Sequence, residues 1–351
     1  MLNFKTVHEC FKYNGEHYNF NTLKNLAQKL LESEQSYSKD IAEFLLQWQE
    51  STTIIALKTS GSTGLPKTII MEKQAMVNSA TATGEHFNLQ PTNTTLLCLP
   101  AHYIAGKMML VRALVLGLEL DSIEPKSHLK IDIKKHYVFS AIVPLQLEKN
   151  LDNLENIKTV IVGGAKVSSA LKSKIQDLKT TVFETYGMTE TVSHIAVRQL
   201  NNVSKPAHFK TLPNIEISQN AKDCLIINAP RISKNQIVTN DVVKIHSKTE
   251  FEWLGRADTI INSGGVKIFP EQVENILNNK ISSRFFIASE EDKTLGEFVI
   301  LIIESDKIEI TDALFSELNS FSKPKKTYFL DKFVETSSGK IQRKKTLQLL
   351  K

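Results

Sequence analysis

A loop rich in hydroxyl groups and glycine is the first stretch of this sequence that could do chemistry. The segment TSGSTGLPK, residues 59–67, sets four hydroxyl side chains and two glycines before Lys67. Glycine lets backbone N–H groups converge on one point, and Ser and Thr hydroxyls add further donors. With a lysine supplying positive charge, such a loop suits a phosphate group better than a plain solvated turn. Residues 52–58, TTIIALK, read as a buried β-strand that leads into the loop and favours this interpretation.

The loop differs from the common nucleotide-binding loops. A Walker A loop needs Gly-Lys followed by Ser or Thr, whereas here Leu65 and Pro66 separate Gly64 from Lys67. The GxGxxG fingerprint of dinucleotide-binding proteins is also absent from this stretch. The sequence therefore disfavours a P-loop kinase or ATPase. If the loop binds phosphate, it belongs to another class of phosphate-binding protein.

Alternating strands and helices must position this loop. Short apolar runs that end in turns predict strands at TTLLCLP (94–100), VFSAIVP (138–144), KTVIVGG (158–164) and TTVFETYG (180–187), and SSALKSKIQDL (168–178) predicts a helix between two of them. Residues 20–50 have helical spacing. This alternation predicts an α/β fold, a mostly parallel sheet covered by helices, with ligands at the carboxyl ends of its strands. We expect three motif loops to leave strands there: 59–67, GGAK at 163–166 and YGMTET at 186–191.

The pattern changes after Arg256. The stretch IINSGGVKIFPEQVENIL predicts a strand, a Gly-Gly turn, a second strand and a helix that begins at Pro270. Residues 284–304 then read as two strands joined by a polar turn. The sequence thus predicts a large domain over residues 1–257 and a small α+β domain over residues 258–351.

Composition places the chain among ordinary globular proteins and excludes several functions. Its 351 residues are 41% hydrophobic and 23% charged, with a formal net charge of +5. That mild charge, without a basic stripe interleaved with aromatic residues, argues against a nucleic-acid partner. The N-terminus does not resemble a signal peptide, and Arg112 interrupts the longest apolar run, which predicts no membrane span. Three widely separated cysteines suit a reducing compartment, so we expect a soluble, cytoplasmic protein.

Five motifs occur in order along the chain. They are TSGSTGLPK (59–67), YGMTET (186–191), TND (239–241), GRADTIINSGGVKIFPEQVE (255–274) and SSGKIQRK (337–344). In this order they resemble the ANL superfamily of adenylate-forming enzymes, which includes acyl-CoA and aryl-CoA synthetases, luciferases and adenylation domains. The resemblance extends from about residue 50 to the end, and so implies an N-terminally shortened form of that fold.

The resemblance implies a two-step reaction and its cofactors. ATP and a small carboxylic acid would form an acyl-adenylate and diphosphate, and a thiol, usually that of CoA, would then displace AMP. Such a reaction uses Mg²⁺, and Glu190 matches the carboxylate that holds it, since Mg²⁺ prefers carboxylate and phosphate oxygens. The small domain would rotate between the two steps about the hinge residue Asp258. The sequence does not decide between a monomer and a homo-oligomer.

The resemblance also assigns residues to catalysis and to ATP. Lys67 would stabilise the departing diphosphate, Thr189 would contact the α-phosphate, and Lys340 would reach the substrate carboxylate during adenylation. Asp241 would bind the ribose hydroxyls. The implied ATP site comprises Thr59, Ser60, Gly61, Ser62, Thr63, Gly64, Lys67, Gly163, Gly164, Ala165, Tyr186, Gly187, Thr189, Asp241, Arg256 and Lys340. Judged by type and spacing alone, Thr189 and Glu190 also suit the first turn of a helix, and Lys340 suits a basic surface tail.

The acid and CoA sites complete the assignment. The segment 99–114, LPAHYIAGKMMLVRAL, resembles the acyl-pocket segment of the superfamily, with His102 as a ring near the substrate carboxylate. The implied substrate residues are His102, Lys107, Arg112, Ser193 and His194, and the implied CoA-facing residues are Gly264, Gly265 and Lys267.

Basic residues in an apolar pocket suggest an acid with a second carboxylate, because buried charge is costly without a partner. The alternative is that Lys107 and Arg112 face solvent on a helix. With its short chain, this pattern is most similar to the family of o-succinylbenzoate–CoA ligases of menaquinone biosynthesis. Another aryl- or acyl-CoA ligase, or an adenylation enzyme that loads a carrier protein, remains the alternative.

Overall fold

The structure is a computed structural model that describes residues 2–58, 68–204, 208–278, 280–306, 309–335 and 341–350. The predicted phosphate loop at residues 59–67 and the predicted catalytic Lys340 therefore lie outside the described residues.

Twenty strands and eight α-helices make up the described chain. The strands are β1 (Lys12–Tyr13), β2 (Glu16–His17), β3 (Ile54–Lys58), β4 (Thr68–Glu72), β5 (Thr94–Leu97), β6 (Glu119–Ser122), β7 (Tyr137–Ile142), β8 (Ile157–Val162), β9 (Thr181–Gly187), β10 (His194–Gln199), β11 (Phe209–Thr211), β12 (Glu216–Gln219), β13 (Cys224–Asn228), β14 (Ile237–Ser247), β15 (Glu250–Arg256), β16 (Ile261–Ser263), β17 (Val266–Ile268), β18 (Phe285–Asp292), β19 (Gly296–Glu304) and β20 (Lys326–Leu330). The helices are α1 (Leu23–Leu31), α2 (Ser36–Gln49), α3 (Lys73–Phe87), α4 (Ile104–Leu116), α5 (Pro144–Lys149), α6 (Ser169–Lys174), α7 (Pro270–Leu277) and α8 (Arg343–Leu347).

One sheet of 13 strands dominates the molecule, in the order β12-β13-β14-β15-β11-β10-β9-β8-β7-β5-β6-β1-β2. The predicted parallel arrangement holds for β1 and β5–β9. In the other half of the sheet, which comprises β9–β15, every pair of neighbouring strands is antiparallel. The parallel strands carry short, almost continuous apolar runs because both of their faces are buried.

Helices cover both faces of the parallel strands. On one face α1–α4 pack against residues such as Phe139 and Ile161, and on the other α5 and α6 pack against residues such as Val160 and Val162. Helix α4 is enclosed so completely that residues 106–115 are all buried. It ends at Gly117, whose φ of 71° lies in the left-handed region that glycine adopts without strain. This buried helix carries Lys107 and Arg112.

A second, smaller sheet is built from residues 261–330. Strands β18 and β19 form an antiparallel pair, β20 joins β19 in parallel, and β16 and β17 form a hairpin beside them. Helix α7 begins at Pro270, as the sequence predicts, because proline has no N–H to lose at the first helical position. The strand, turn, strand and helix order expected after Arg256 is therefore present.

The prediction of a strand at residues 52–58 is confirmed for Ile54–Lys58, but the expectation that this strand is buried and belongs to the parallel sheet is wrong. Strand β3 pairs antiparallel with β4 in a separate two-stranded sheet. Ile55 is buried, but Ile54 remains 40% exposed. The physical reason is the connection, since the nine residues 59–67 can close a hairpin but are too few for the crossover that parallel strands require.

None of the helices in the described ranges combines the length and the apolar composition that a bilayer span demands.

Candidate active site

Three adjoining cavities open where the parallel strands end. The central cleft encloses about 280 Å³ and is lined by Leu99, Ile104, Ala105, Met108, Arg112, Ala141, Ile142, Val143, Ile161, Gly163, Gly164, Thr185, Gly187, Met188, Thr189, Val192, Ser193 and His194. The Asp241 pocket encloses about 260 Å³ and is lined by Gly164, Ala165, Lys166, Glu184, Thr185, Tyr186, Gly187, Arg198, Phe209, Asp241 and Trp253. The Glu190 groove encloses about 460 Å³ and is lined by Ile69, Ile70, Met71, Glu72, Ala75, Asn78, Thr189, Glu190, Val192, Pro230, Arg231, Ile232, Ser233 and Lys234.

Shared residues show how the cavities connect. Gly164, Thr185 and Gly187 line both the central cleft and the Asp241 pocket, whereas Thr189 and Val192 line both the central cleft and the Glu190 groove. A molecule extending through all three would therefore bend around the end of β9. This position agrees with the rule that α/β sheets bind ligands at the carboxyl ends of their strands.

Gly187 allows the chain to pass closely through this centre. A Cβ atom there would lie 2.5 Å from the Ser193 carbonyl oxygen and 2.6 Å from the Cα of His194. Both of these neighbours are backbone atoms, so a larger residue would push β9 and β10 apart. The close approach brings Ser193 and His194 into the central cleft.

Arg112 is the dominant charge in the central cleft. Its side chain is 2% exposed, and no described carboxylate forms an ion pair with it. One terminal nitrogen lies 3.4 Å from Ser193 Oγ and the other 3.6 Å from Met109 Sδ, while Nε has no hydrogen-bond partner among the described residues. Burial lowers the pKa of Arg112 to about 9, which leaves it charged at neutral pH. Among the described residues, the cleft thus holds a cation without a counter-charge.

His194 lies against this guanidinium. Its Nδ1 is 3.4 Å from an Arg112 terminal nitrogen, and because a guanidinium only donates, Nδ1 accepts and the ring proton sits on Nε2. Nε2 is buried and has no partner among the described residues. Burial, reinforced by Arg112 and then by His86, holds the pKa of His194 well below its usual value. The neutral ring therefore leaves one unused N–H donor beside the Arg112 charge.

The turn after β9 is held by Thr191 and strained at Val192. The Thr191 hydroxyl lies 2.8 Å from the Met188 carbonyl oxygen and 2.7 Å from that of Ser193, and it accepts from the Met188 N–H at 2.9 Å. Val192 has a φ of 68°, which is rare for a β-branched residue and costs on the order of 1–3 kcal/mol. The turn directs Thr189 and Ser193 towards the cavities.

Asp241 is held from two sides in its pocket. The Tyr186 hydroxyl donates to Oδ2 at 2.6 Å, and Trp253 Nε1 donates to Oδ1 at 3.2 Å. Burial, and then the adjacent Asp241 charge, raises the pKa of Tyr186, so its hydroxyl stays protonated and remains a donor. Two donors fix the carboxylate orientation while leaving lone pairs able to accept from a ligand hydroxyl.

A second charged group backs the Asp241 pocket. Arg198 Nε donates to Glu184 Oε2 at 3.0 Å, and the Val167 N–H donates to Glu184 Oε1 at 2.9 Å. Burial raises the pKa of Glu184, but Arg198 and Lys172 together lower it below its ordinary value. The carboxylate is therefore ionised and fixed, and it anchors the start of the chain that follows Gly164.

The Glu190 groove presents oxygen donors. Glu190 is exposed, and none of the ion pairs among the described residues includes it. Its carboxylate and the neighbouring Thr189 hydroxyl are hard ligands, which fit Mg²⁺ better than a softer metal. Strand β4 lines the same groove, so the predicted phosphate loop, outside the described residues, joins the chain here.

The structure brings most of the described candidates together. Arg112, Gly163, Gly164, Gly187, Thr189, Ser193 and His194 line the central cleft, Gly164, Ala165, Tyr186, Gly187 and Asp241 line the Asp241 pocket, and Thr189 and Glu190 line the groove. Arg256 lies beside this set, with a terminal nitrogen 3.7 Å from Asp241 Oδ1. Thr59, Ser60, Gly61, Ser62, Thr63, Gly64, Lys67 and Lys340 lie outside the described residues.

His102 and Lys107 do not line the central cleft. His102 Nδ1 lies 2.7 Å from Asp40 Oδ2, and its side chain is half exposed. Lys107 is buried with Nζ 5.1 Å from the centre of the Phe44 ring. Since five helical residues turn through roughly 500°, Lys107 and Arg112 diverge by roughly 140° around α4. The alternative that both lysine and arginine face solvent is wrong, because both are buried.

The described candidates after Arg256 do not line any of the three cavities. Asp258 Oδ1 is 3.3 Å from Arg256 Nε, in the connection between β15 and β16. Gly264 and Gly265, with φ of 57° and 83°, form the turn between β16 and β17. Lys267 Nζ lies 3.8 Å from Asp223 Oδ2, an exposed contact between the small and the large sheet.

Sequence reasoning missed several residues of the Asp241 pocket. Trp253, Arg198 and Lys166 line it, and none lies at a motif position with an implied role. One signal points to Trp253, because it stands three residues before Arg256 on the strand that pairs with the one bearing Asp241. Lys166 belongs to the GGAK loop at 163–166 and so carries a signal of its own, whereas Arg198 offers none, because its position depends on the register between β9 and β10.

Comparisons with known proteins agree on the fold and the family. Residues 10–219 match the model of the AMP-binding enzyme family. A curated relative, 2-succinylbenzoate–CoA ligase of Listeria monocytogenes, is 23% identical over 336 residues, which cover 86% of this chain and 71% of the relative. The acyl-CoA synthetase (AMP-forming)/AMP-acid ligase II-like protein of Dyadobacter fermentans is 35% identical, with a TM-score of 0.63 over 93% of this chain and 98% of that one. O-succinylbenzoate coenzyme A synthetase of Bacillus subtilis in complex with AMP has a TM-score of 0.74 at 17% identity, over 96% of this chain and 95% of that one.

Proposed function

Because the chain belongs to the AMP-binding enzyme family, we propose that it is an AMP-forming acid–CoA ligase whose acid is o-succinylbenzoate. The reaction converts o-succinylbenzoate, ATP and CoA into o-succinylbenzoyl-CoA, AMP and diphosphate, a step of menaquinone biosynthesis. The name of the Listeria monocytogenes relative supports this proposal. The three free cysteines are consistent with a cytoplasmic enzyme.

The observation that carries the choice of acid is the uncompensated charge of Arg112. O-succinylbenzoate has an aromatic ring, a keto group and two carboxylates. Its apolar body suits Leu99, Ile104 and Met108. Its ring carboxylate can accept hydrogen bonds from Arg112 Nε and His194 Nε2, which have no partner among the described residues. A fatty acid would leave both donors buried and unsatisfied.

We further propose how the parts of ATP are distributed among the three cavities, and the order in which the cavities adjoin supports this distribution. Asp241 binds the ribose hydroxyls, and Gly163, Gly164 and Ala165 let the backbone approach the adenine ring. Thr189, at the junction of the central cleft and the Glu190 groove, contacts the α-phosphate. The acid approaches this junction from the cleft, and diphosphate leaves along the groove.

Adenylation joins a substrate carboxylate oxygen to the α-phosphorus and breaks the bond to diphosphate. Two anions must meet, so the proposal gives Lys340 and Lys67 the task of neutralising their charge. Glu190 and Thr189 would hold Mg²⁺, which when bound supplies a positive charge beside the phosphate oxygens. Residues 59–64 would donate to the outer phosphates.

The second half-reaction requires a thiol. The CoA sulfur bonds to the acyl carbon and AMP departs as the leaving group. We propose that residues 258–351 rotate at Asp258 between the steps, so that Lys340 withdraws and the Gly264–Gly265 turn with Lys267 faces CoA.

A direct test supplies purified enzyme with ATP, Mg²⁺ and CoA and reads AMP and acyl-CoA by mass spectrometry. O-succinylbenzoate is compared with benzoate, octanoate and 4-oxo-4-phenylbutanoate, which lacks only the ring carboxylate. We expect o-succinylbenzoyl-CoA to form, and the analogue to lose about 10- to 100-fold in kcat/KM, the value of a charged hydrogen bond of about 1.5–3 kcal/mol.

The variant Arg112→Met serves as the matched control for the analogue. Its preference for o-succinylbenzoate over 4-oxo-4-phenylbutanoate should be much smaller, because the charged one of the two donors assigned to the ring carboxylate has been removed and only His194 remains. If the enzyme prefers benzoate or octanoate, the proposed acid substrate is wrong, but the proposed acid–CoA ligase reaction stands. Formation of AMP without any acyl-CoA would indicate a carrier protein as the thiol acceptor.

A further inference from the structure

A cluster of metal-ligating side chains lies outside the three cavities. His208, His246 and Glu252 each offer one ligand atom, and these atoms all lie within 4.8 Å of one another. His246 Nε2 is 3.9 Å from Glu252 Oε2, and the two imidazole rings stack with centroids 3.8 Å apart. The proposed ligase reaction uses none of these side chains.

The register of three neighbouring strands builds this cluster. Glu252 is on β15, His246 on β14, and His208 immediately precedes β11, the other neighbour of β15. The pairing of Phe209 with Phe251 sets His208 opposite Glu252. On β14 the residue paired with Glu252 is Lys244, and the register shifts between Ile245 and Ser247, where His246 stands. Strands β14 and β15 and the residue preceding β11 thus supply one ligand each.

Glu252 lies on the face of the sheet opposite the Asp241 pocket. Phe251 is buried and its ring packs 5.2 Å from that of Tyr186, which donates to Asp241. Successive side chains of a strand alternate between faces, so Glu252 points away from the pocket. The cluster is therefore separate from the nucleotide site and accessible from outside.

The donor set defines the class of ion. Two imidazoles and one carboxylate suit Zn²⁺, Ni²⁺, Co²⁺ or Cu²⁺, whereas Mg²⁺ and Ca²⁺ prefer oxygen ligands alone. A tetrahedral Zn²⁺ ion with bonds of about 2.0–2.1 Å needs its ligand atoms roughly 3.3 Å apart. The ligand atoms lie within 4.8 Å of one another, so they must move closer to bind one ion. Rotation of the exposed His208 and His246 side chains allows this, and water can complete the coordination.

We propose that His208, His246 and Glu252 bind one borderline transition-metal ion, with Zn²⁺ and Ni²⁺ as suitable probes. The bound ion bridges β11, β15 and β14 on the outer face of the large sheet. It plays no part in the ligase reaction, so the site is independent of the function proposed above.

The test titrates ZnCl₂ and NiCl₂ into tag-free, chelator-treated full-length protein by isothermal titration calorimetry, with MgCl₂ for comparison. We expect one equivalent of Zn²⁺ or Ni²⁺ to bind with micromolar affinity and to raise the melting temperature, since an ion that binds only the folded state stabilises it. His208→Ala and His246→Ala should each weaken binding at least tenfold, and Glu252→Gln should weaken it less.

His17→Ala is the matched control, because His17 is also exposed and lies on β2, far along the sheet. It should bind the ion as the unmodified protein does. Comparison among variants also cancels any binding at the three cysteines, which all variants share. Equal binding by every variant, loss with only one of the two histidine variants, or no binding by the unmodified protein would each overturn the proposal.

Discussion

Replacing Arg112 by methionine should make the protein more stable and a poorer enzyme. Burial lowers the pKa of Arg112 well below its ordinary value, to about 9, which corresponds to about 5 kcal/mol against the charged form in the folded state. A methionine fills similar space without that cost. Allowing for the hydrogen bonds to Ser193, His194 and Met109 that methionine cannot form, we expect the free energy of unfolding to rise by about 1–4 kcal/mol.

The pH dependence gives this prediction a definite sign. The folded pKa lies below the unfolded one, so above pH 9 the unfolded chain binds more protons and the unmodified protein gains stability. The stability advantage of Arg112→Met should therefore be complete below pH 9 and shrink as the pH rises above 9 towards the higher pKa of arginine in the unfolded chain. Urea denaturation at about pH 7 and about pH 10, without substrate, measures both values.

Steady-state kinetics supply the other half of the test. Arg112→Met should lower kcat/KM for o-succinylbenzoate about 10- to 100-fold. Lys107→Met removes a buried cation from the same helix but outside the cleft, so its kcat/KM should stay within about twofold. If Arg112→Met is less stable at both pH values and has unchanged kinetics, the guanidinium is structurally satisfied and is not reserved for substrate.

Three further predictions address the proposed nucleotide site and the proposed catalytic role of Lys340. Asp241→Ala should weaken ATP binding at least tenfold by calorimetry; an unchanged affinity would remove Asp241 from the ribose site. Gly187→Ala should cost about 2 kcal/mol or more in urea denaturation and slow the reaction, because its Cβ would collide with the backbone at Ser193 and His194; normal stability would contradict the close packing. Lys340→Ala should nearly abolish adenylation but spare thioester formation from supplied acyl-adenylate, and equal loss of both half-reactions would contradict a lysine that serves only the first.

The sequence is informative where a local pattern determines structure. Strands β5, β7, β8 and β9 follow from apolar runs that end in turns, and the start of α7 follows from Pro270. The motif loops after Val162 and Tyr186 also lie beside the central cleft, because parallel strands end at one edge. These features need only a few neighbouring residues to be recognised.

Features that depend on contacts between residues far apart in the sequence could not be predicted from local patterns. The contact between Arg112 and His194 joins residues 82 apart in the chain. The sequence predicts His102 in the acyl pocket, but its ring turns to Asp40, a residue on α2 that no local pattern connects with it. Likewise, the sequence does not reveal that β10–β15 are antiparallel, since strand direction in a large sheet follows from the whole chain path.

The separation of the β3–β4 pair from the large sheet has a consequence for the local stability of these strands and for their tolerance of insertions. Within the described part of the chain its strands bond to each other and to no strand of the large sheet. Two-stranded hairpins are marginal alone, so their amide protons should exchange with deuterium faster than those of β7–β9. ATP should slow exchange in β3 and β4 selectively. The same separation predicts that insertions between these strands leave undisturbed the strand registers on which Asp241 and Arg112 depend.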